Sequence, residues 1–273
     1  MTTTRRDALS MLAMTSLAAT AMPAAAKVAA SAIPDAGWKP LFNGKDLSGW
    51  TFFQDGVGDR DRDGAVAVEH GMLHILGPRY HGPAAAGMGY LATAQEYENY
   101  HLSLEYRWGP RRYEPRLNWK RDSGILYHVA PGREFLWPDC VEYQIMEHST
   151  GDAIPVNHRA IQAISMGGLP AWPNNFAFNN QYAPQINAGS NLRQMIKAEG
   201  VFDNLDGWNT VELIAKGDSA AHIVNGRLIT ALYGLQSQDS ADRSHYVRLS
   251  KGRILLQIEC AEIMFRNVKI RSL

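Results

Sequence analysis

The sequence predicts an all-β chain, a sandwich or barrel of antiparallel strands. Three observations carry this. After Gly37 apolar and polar residues alternate, turn residues interrupt the alternation at short intervals, and no segment shows the periodicity of a long amphipathic helix. In 101–108, Leu102, Leu104, Tyr106 and Trp108 share one face, and His101, Ser103, Glu105 and Arg107 share the other. In 141–145, Val141, Tyr143 and Ile145 point to a core while Glu142 and Gln144 point away. Segments 210–216 and 221–230 are expected as a hairpin pair around Asn225-Gly226, because Asn-Gly suits a turn whose central residues both need positive φ. Segments 254–259 and 263–270 supply the last two strands. Residues 54–64 (QDGVGDRDRDG) form a polar loop, and 165–205, rich in Gly, Pro and Asn, form a long excursion without strands. An excursion of that length in a compact domain is usually the wall or lid of a site.

Composition narrows the partners. Hydrophobic residues make up 45% of the 273 and charged residues 20%, enough for one ordinary core. Lys+Arg and Asp+Glu both total 27, so no net field favours nucleic acid or an anionic membrane. The two cysteines, Cys140 and Cys260, form no CxxC pair, which excludes a thiolate zinc site; one disulfide and two free buried thiols both remain open.

Residues 1–26 read as an export signal: Arg5-Arg6, an uncharged apolar run from Ala8 to Met22, and the small residues Ala24-Ala25-Ala26. The run is too short for a comfortable membrane span. The start resembles a twin-arginine signal, with Ala8 where Phe is usual; an ordinary secretory signal is the alternative, and both place the protein in the periplasm or outside the cell. Residues 27–36 are a linker and 37–273 one domain, so no membrane span is expected in the mature protein.

The densest group of reactive side chains is Glu142-Tyr-Gln144-Ile-Met-Glu147-His148. Glu142 and Gln144 share a polar strand face, whereas Glu147 falls on the core face unless a β-bulge re-aims it. A second strand sets Leu255, Gln257 and Glu259 on one face, and if both lie on one sheet they converge on a surface suited to sugar hydroxyls. His128 is expected on the face opposite Ser123, Ile125 and Tyr127; His158 follows the carboxylate group by a short loop; His222 points away from Ile223 and Leu228. No histidine pair has metal-ligand spacing within one element. There is no nucleophile elbow, phosphate loop or dinucleotide fingerprint, which leaves acid–base chemistry.

Several segments together resemble one family: Leu41-Phe-Asn-Gly-Lys-Asp-Leu-Ser-Gly-Trp50, Asp122-Ser-Gly-Ile-Leu-Tyr-His128, Glu142-Tyr-Gln-Ile-Met146, Trp208-Asn209 with His222-Ile-Val-Asn-Gly226, Gly252-Arg-Ile-Leu-Leu-Gln257 and Phe265-Arg-Asn-Val-Lys-Ile270. In this order they are similar to the 3-keto-glucoside lyase and 3-keto-2-hydroxyglucal hydratase family, the 3-keto-disaccharide hydrolases. The resemblance implies a concanavalin-A-like jelly-roll β-sandwich acting on glycosides already oxidised at C3 by a separate sugar 3-dehydrogenase. It departs from the family where Asp122 replaces Asn, His128 replaces Arg, and Glu259 replaces a small polar residue or His.

The chemistry so implied is β-elimination followed by hydration. Proton transfer falls to Glu142 or Glu147 with His128 or His158, and substrate binding to Arg107, Gln144, His222, Gln257 and Glu259. A divalent cation held by carboxylates and His would stabilise the enolate, and the sequence leaves its presence open. Two other readings stay in view. Glu142-x-Gln144-x-x-Glu147 resembles the E-x-D-x-x-E signature of laminarinase-like retaining hydrolases, with Gln where Asp belongs. A lectin-like domain without catalysis is the other, given seven Trp and eleven Tyr.

Overall fold

The computed structural model describes residues 37–132, 135–162, 165–166, 169–170, 185–187, 200–239, 241–242 and 244–273. The expected export signal and linker lie outside them, as does most of the 165–205 excursion. No described residue is helical, and the strands build two large antiparallel sheets. Among the described residues no helix is long and apolar enough to cross a membrane.

The larger sheet runs Gln185–Asn187, His158–Gln162, Arg227–Gln238, Ser219–Val224, Asn209–Lys216, Tyr100–Arg112, Ala261–Ser272, Met72–Ile75 and Val66–Glu69. The smaller runs Ala153–Val156, Cys140–Met146, Asp122–Val129, Lys251–Ile258, Gly89–Thr93 and Trp50–Gln54. Alternation along the strands seals them together: Leu102, Leu104 and Leu213 from the larger sheet meet Ile125, Tyr143 and Leu256 from the smaller in one core. The opposite face of the smaller sheet is covered too. Tyr90, Leu126, Cys140, Ile154 and Leu255 form a second buried apolar cluster there, beside the polar residues described below.

The expected strands are present, most of them longer than their alternation indicated. Segment 221–230 instead divides into Ser219–Val224 and Arg227–Gln238, which pair across Asn225-Gly226; a separate hairpin joins Asn209–Lys216 to Ser219–Val224. The 165–205 excursion holds strands where none was expected. Ser165–Met166 pairs with Leu169–Pro170, and Gln185–Asn187 extends the larger sheet. Cys140 and Cys260 are buried and not joined in a disulfide; the Cys260 sulfur lies 3.5 Å from the Ala86 carbonyl, and burial pushes its thiol up to about 11.

Asn225 and Gly226 have φ of 49° and 78°, as the Asn-Gly turn requires. A Cβ at Gly226 would touch nothing within 4 Å, so Gly226→Ala acts through the backbone alone. Urea unfolding should show a loss of about 1–2 kcal/mol; an unchanged midpoint would mean the turn relaxes freely.

Candidate functional site

The pleat sends Asp122, Gly124 and Leu126 to the outer face of the smaller sheet. Cross-strand pairing then sets Gln144 beside Gly124, Glu142 beside Leu126, and Leu126 beside Leu255. Gly124 is the hollow in this row. A Cβ there would run into Gln257 Oε1 and stand 3.0 Å from Glu142 Oε1, so the carboxylate and the amide flank a bare stretch of backbone. Glu142, Gln144 and Gln257 therefore share this face.

The row is polar and dry. Gln144 is 3% exposed and Gln257 1%. Gln144 Nε2 donates to Asp122 Oδ1 at 2.6 Å, yet Gln144 Oε1 and both amide atoms of Gln257 have no partner among the described residues. An unmet buried amide costs about 1–3 kcal/mol, and folded proteins seldom tolerate several together. Groups kept this way are preset for a ligand that can hydrogen-bond.

Sequence reasoning missed two residues at the end of the row. Arg116 reaches Asp122 Oδ2 at 2.5 Å through Nη1 and Glu259 Oε1 at 2.8 Å through Nη2. Burial pushes the Asp122 carboxyl up to about 6, outweighing the opposing pull of Arg116, the Ser123 amide and Gln144. Asp122 could have been found, since it sits two residues before Gly124 on the same face. Arg116 lies in an irregular segment and carries no such signal.

Other candidates fall elsewhere. Glu147 lies just past the end of its strand, neither on the core face nor beside Gln144. Arg121 Nε holds it at 2.5 Å and Arg112 Nη2 at 3.2 Å. Burial raises its carboxyl, but Arg121 and Arg112 outweigh this and leave it below the usual carboxylate range. It is an anchor for arginines and a poor base. Arg107 points from the larger sheet to the far side of the sandwich, its guanidinium 5.1 Å from the centre of the Trp208 ring. His222 is wholly buried between the sheets, stacked 4.1 Å from Tyr143 and hydrogen-bonded to Tyr127 Oη and the Gly151 carbonyl, both at 3.1 Å. With those partners it is core, out of reach of a substrate on the outer face.

His128 also departs from its expected face. Pairing slips between Arg253 and Leu255, and His128 takes φ of 59°. This bulge hands the outer face to Val129 and turns the His128 ring inward, 6.5 Å from that of Tyr100. His158, on the larger sheet, lines the same cavity, so the two histidines are brought to each other and away from Gln144 and Gln257. Among the described residues no group of three His, Cys, Asp or Glu side chains is placed to hold a metal, and the Arg116 guanidinium occupies the position between Asp122 and Glu259.

Residues 37–271 match the model of the 3-keto-alpha-glucoside-1,2-lyase-like domain. A solved putative glycosyl hydrolase from Parabacteroides distasonis ATCC 8503 superposes with a TM-score of 0.52 at 22% identity, over 87% of this chain and 94% of its own. A second putative glycosyl hydrolase from that organism gives 0.48 at 19%, over 86% and 99%. A beta-glucanase from Bacillus licheniformis gives 0.47 at 11%, over 86% and 97%. No curated protein matches the sequence. The two stacked antiparallel sheets and the first likeness show a concanavalin-A-like jelly roll, and the family match supports a carbohydrate-active function.

The buried histidines make acid stability testable. Burial pushes His128 down to about 3, and His158 and His222 down to about 4, so all three are neutral in the fold. The unfolded chain would protonate them near pH 6.5, so stability falls as pH drops from about 6.5 toward 4, by roughly 1.4 kcal/mol per pH unit for each histidine once fully titrating. Asp122 has the opposite sign. Its raised carboxyl keeps a proton longer in the fold, so its contribution declines as pH rises from about 4 to about 6 and offsets one histidine there. The melting temperature should therefore drop clearly between pH 7.5 and 5, and a flat profile would contradict the neutral histidines.

Proposed function

The chain belongs to the 3-keto-alpha-glucoside-1,2-lyase-like family, and on that premise we propose that it cleaves glycosides already oxidised at C3 by β-elimination and hydration. The observation that supports this most is the buried outer-face row, in which Glu142, the unpartnered Gln144 Oε1 and the unpartnered Gln257 amide surround the Gly124 hollow.

A C3 ketone acidifies the C2 proton. Glu142 removes it, the C2–H pair becomes the C1=C2 bond, and the C1–O bond breaks as the aglycone leaves. Water then adds across the enone, with net hydrolysis. Gln144 Oε1 and the Gln257 amide take hydroxyls of the ring and hold C2 over the base. Arg116 brings positive charge to this face, where negative charge develops on the C3 oxygen. Asp122, titrating near 6, is able to hold a proton close to neutrality and passes it to the departing oxygen.

Supply of the substrate requires an upstream oxidoreductase that converts a C3 hydroxyl to a ketone. Export directed by residues 1–26 would place both steps outside the cytoplasm. The laminarinase-like alternative loses its second carboxylate, because Glu147 is committed to Arg121 and Arg112.

Aglycone release from a 3-keto-glucoside and from its unoxidised parent tests the proposal. Only the keto substrate should react, and Glu142→Gln should lower kcat by about a hundredfold or more. Turnover of the parent alone would refute it, and saturable sugar binding without turnover of either would make the domain a lectin. With an alkyl leaving group, the rate should fall as pH rises past about 6, as Asp122 loses its proton. Asp122→Asn should abolish that limb, and a limb that persists would assign it to another group.

A further inference from the structure

A cavity of about 360 Å³ lies at the opposite end of these strands from Asp122 and Glu259. His128 and His158 form its floor, only 2% and 4% exposed, and Phe135 and Val247 stand exposed at its mouth. Among the described residues neither nitrogen of His128 has a partner, and the His158 ring has no side-chain partner, with the Asn157 backbone close enough to act on it. Other buried histidines are satisfied: His222 by Tyr127 and Gly151, and His101 by Glu212 at 2.7 Å. The chain thus holds His128 in a positive-φ conformation to aim an unsatisfied ring into a cavity opposite a second ring without a side-chain partner.

The walls define the occupant. A neutral imidazole presents one donor and one acceptor, so the pair complements groups that both give and take a hydrogen bond. Among the described residues, Glu96, Asp139 and Asp239 line the cavity against one cation, Lys251, which lies 3.5 Å from Glu96. Asp139 already accepts from Asn157, and Asp239 from the Ala241 amide, both at 2.7 Å. This acidic excess disfavours anions, and the described residues do not assemble three metal donors. Pro138 and Leu249 add apolar wall. The volume is at the small end of ligand sites, about 300–1,000 Å³. We propose that this cavity binds a neutral polyhydroxylated ring the size of one sugar unit, through His128 and His158, separately from the outer-face row. The inference goes beyond the elimination reading and does not depend on it.

The test uses the full chain labelled with ¹⁵N-histidine, titrated in turn with D-glucose and myo-inositol while the imidazole resonances are followed. At least one polyol should shift the His128 and His158 rings saturably and leave His222 in place. His158→Leu should weaken that binding by about tenfold or more. His158→Gln, which keeps a donor and an acceptor, should retain most of it and serves as the control should the leucine variant not fold. Gln257→Ala, on the outer face, should leave the His128 shift intact even if it abolishes 3-keto-glycoside cleavage. Rings unmoved by both polyols would overturn the proposal. So would a shift lost in Gln257→Ala, or rings moved by equimolar zinc alone.

Discussion

The Arg116 guanidinium stands between two buried carboxylates, Asp122 and Glu259, and the polar face of the smaller sheet depends on it. A carboxylate taken from water loses several kcal/mol of hydration, which a guanidinium in direct contact can largely restore. Without that cation, Asp122 would keep only the Gln144 and Ser123 contacts, and burial would drive it further toward its protonated form. The same segment is tied down a second time. Arg121 and Arg112 clasp Glu147, and Arg121 Nη1 donates to the Gly109 carbonyl at 3.0 Å. The crossover from the larger to the smaller sheet is thus pinned by arginine–carboxylate contacts, which place charge at the end of the Gly124 row.

Two kinds of buried polarity coexist in this sandwich, and satisfaction tells them apart. Between the sheets, Tyr127, Tyr143 and His222 satisfy one another and the backbone: Tyr127 meets His222, Tyr143 donates to the Ile223 carbonyl at 2.7 Å, and His222 meets Gly151. Such a network fixes how the sheets stack and leaves nothing to offer a ligand. On the outer face and in the end cavity, Gln144, Gln257, His128 and His158 are as deeply buried and keep idle donors and acceptors. The fold bears that cost where recognition can recover it.

Much of this was legible in the sequence, because one physical rule covers it. In an unbroken strand the period of two settles which side chains share a face, so Glu142 with Gln144 and Leu255 with Gln257 followed directly. The rule fails where the strand does. At His128 a bulge adds a residue and reverses the face; at Glu147 the strand has already ended, and arginines claim the carboxylate. Arg107 obeys the alternation, but alternation does not say which sheet a strand joins, and its strand lies in the larger one. His222 does point away from Ile223 and Leu228, but those two lie on the half-exposed face, and the histidine is on the core face opposite Leu213. Arg116 was invisible, since an irregular segment has no periodicity to place it.

The most direct test of the account is the fate of the C2 hydrogen. A 3-keto-glucoside turned over in deuterium oxide should yield a 3-keto sugar carrying solvent deuterium at C2, with wild-type enzyme and at a strongly reduced rate with Glu142→Gln. Product that keeps its original C2 hydrogen would mean that the C1–O bond breaks without proton removal at C2. The outer-face row would then be a sugar-binding surface for some other chemistry.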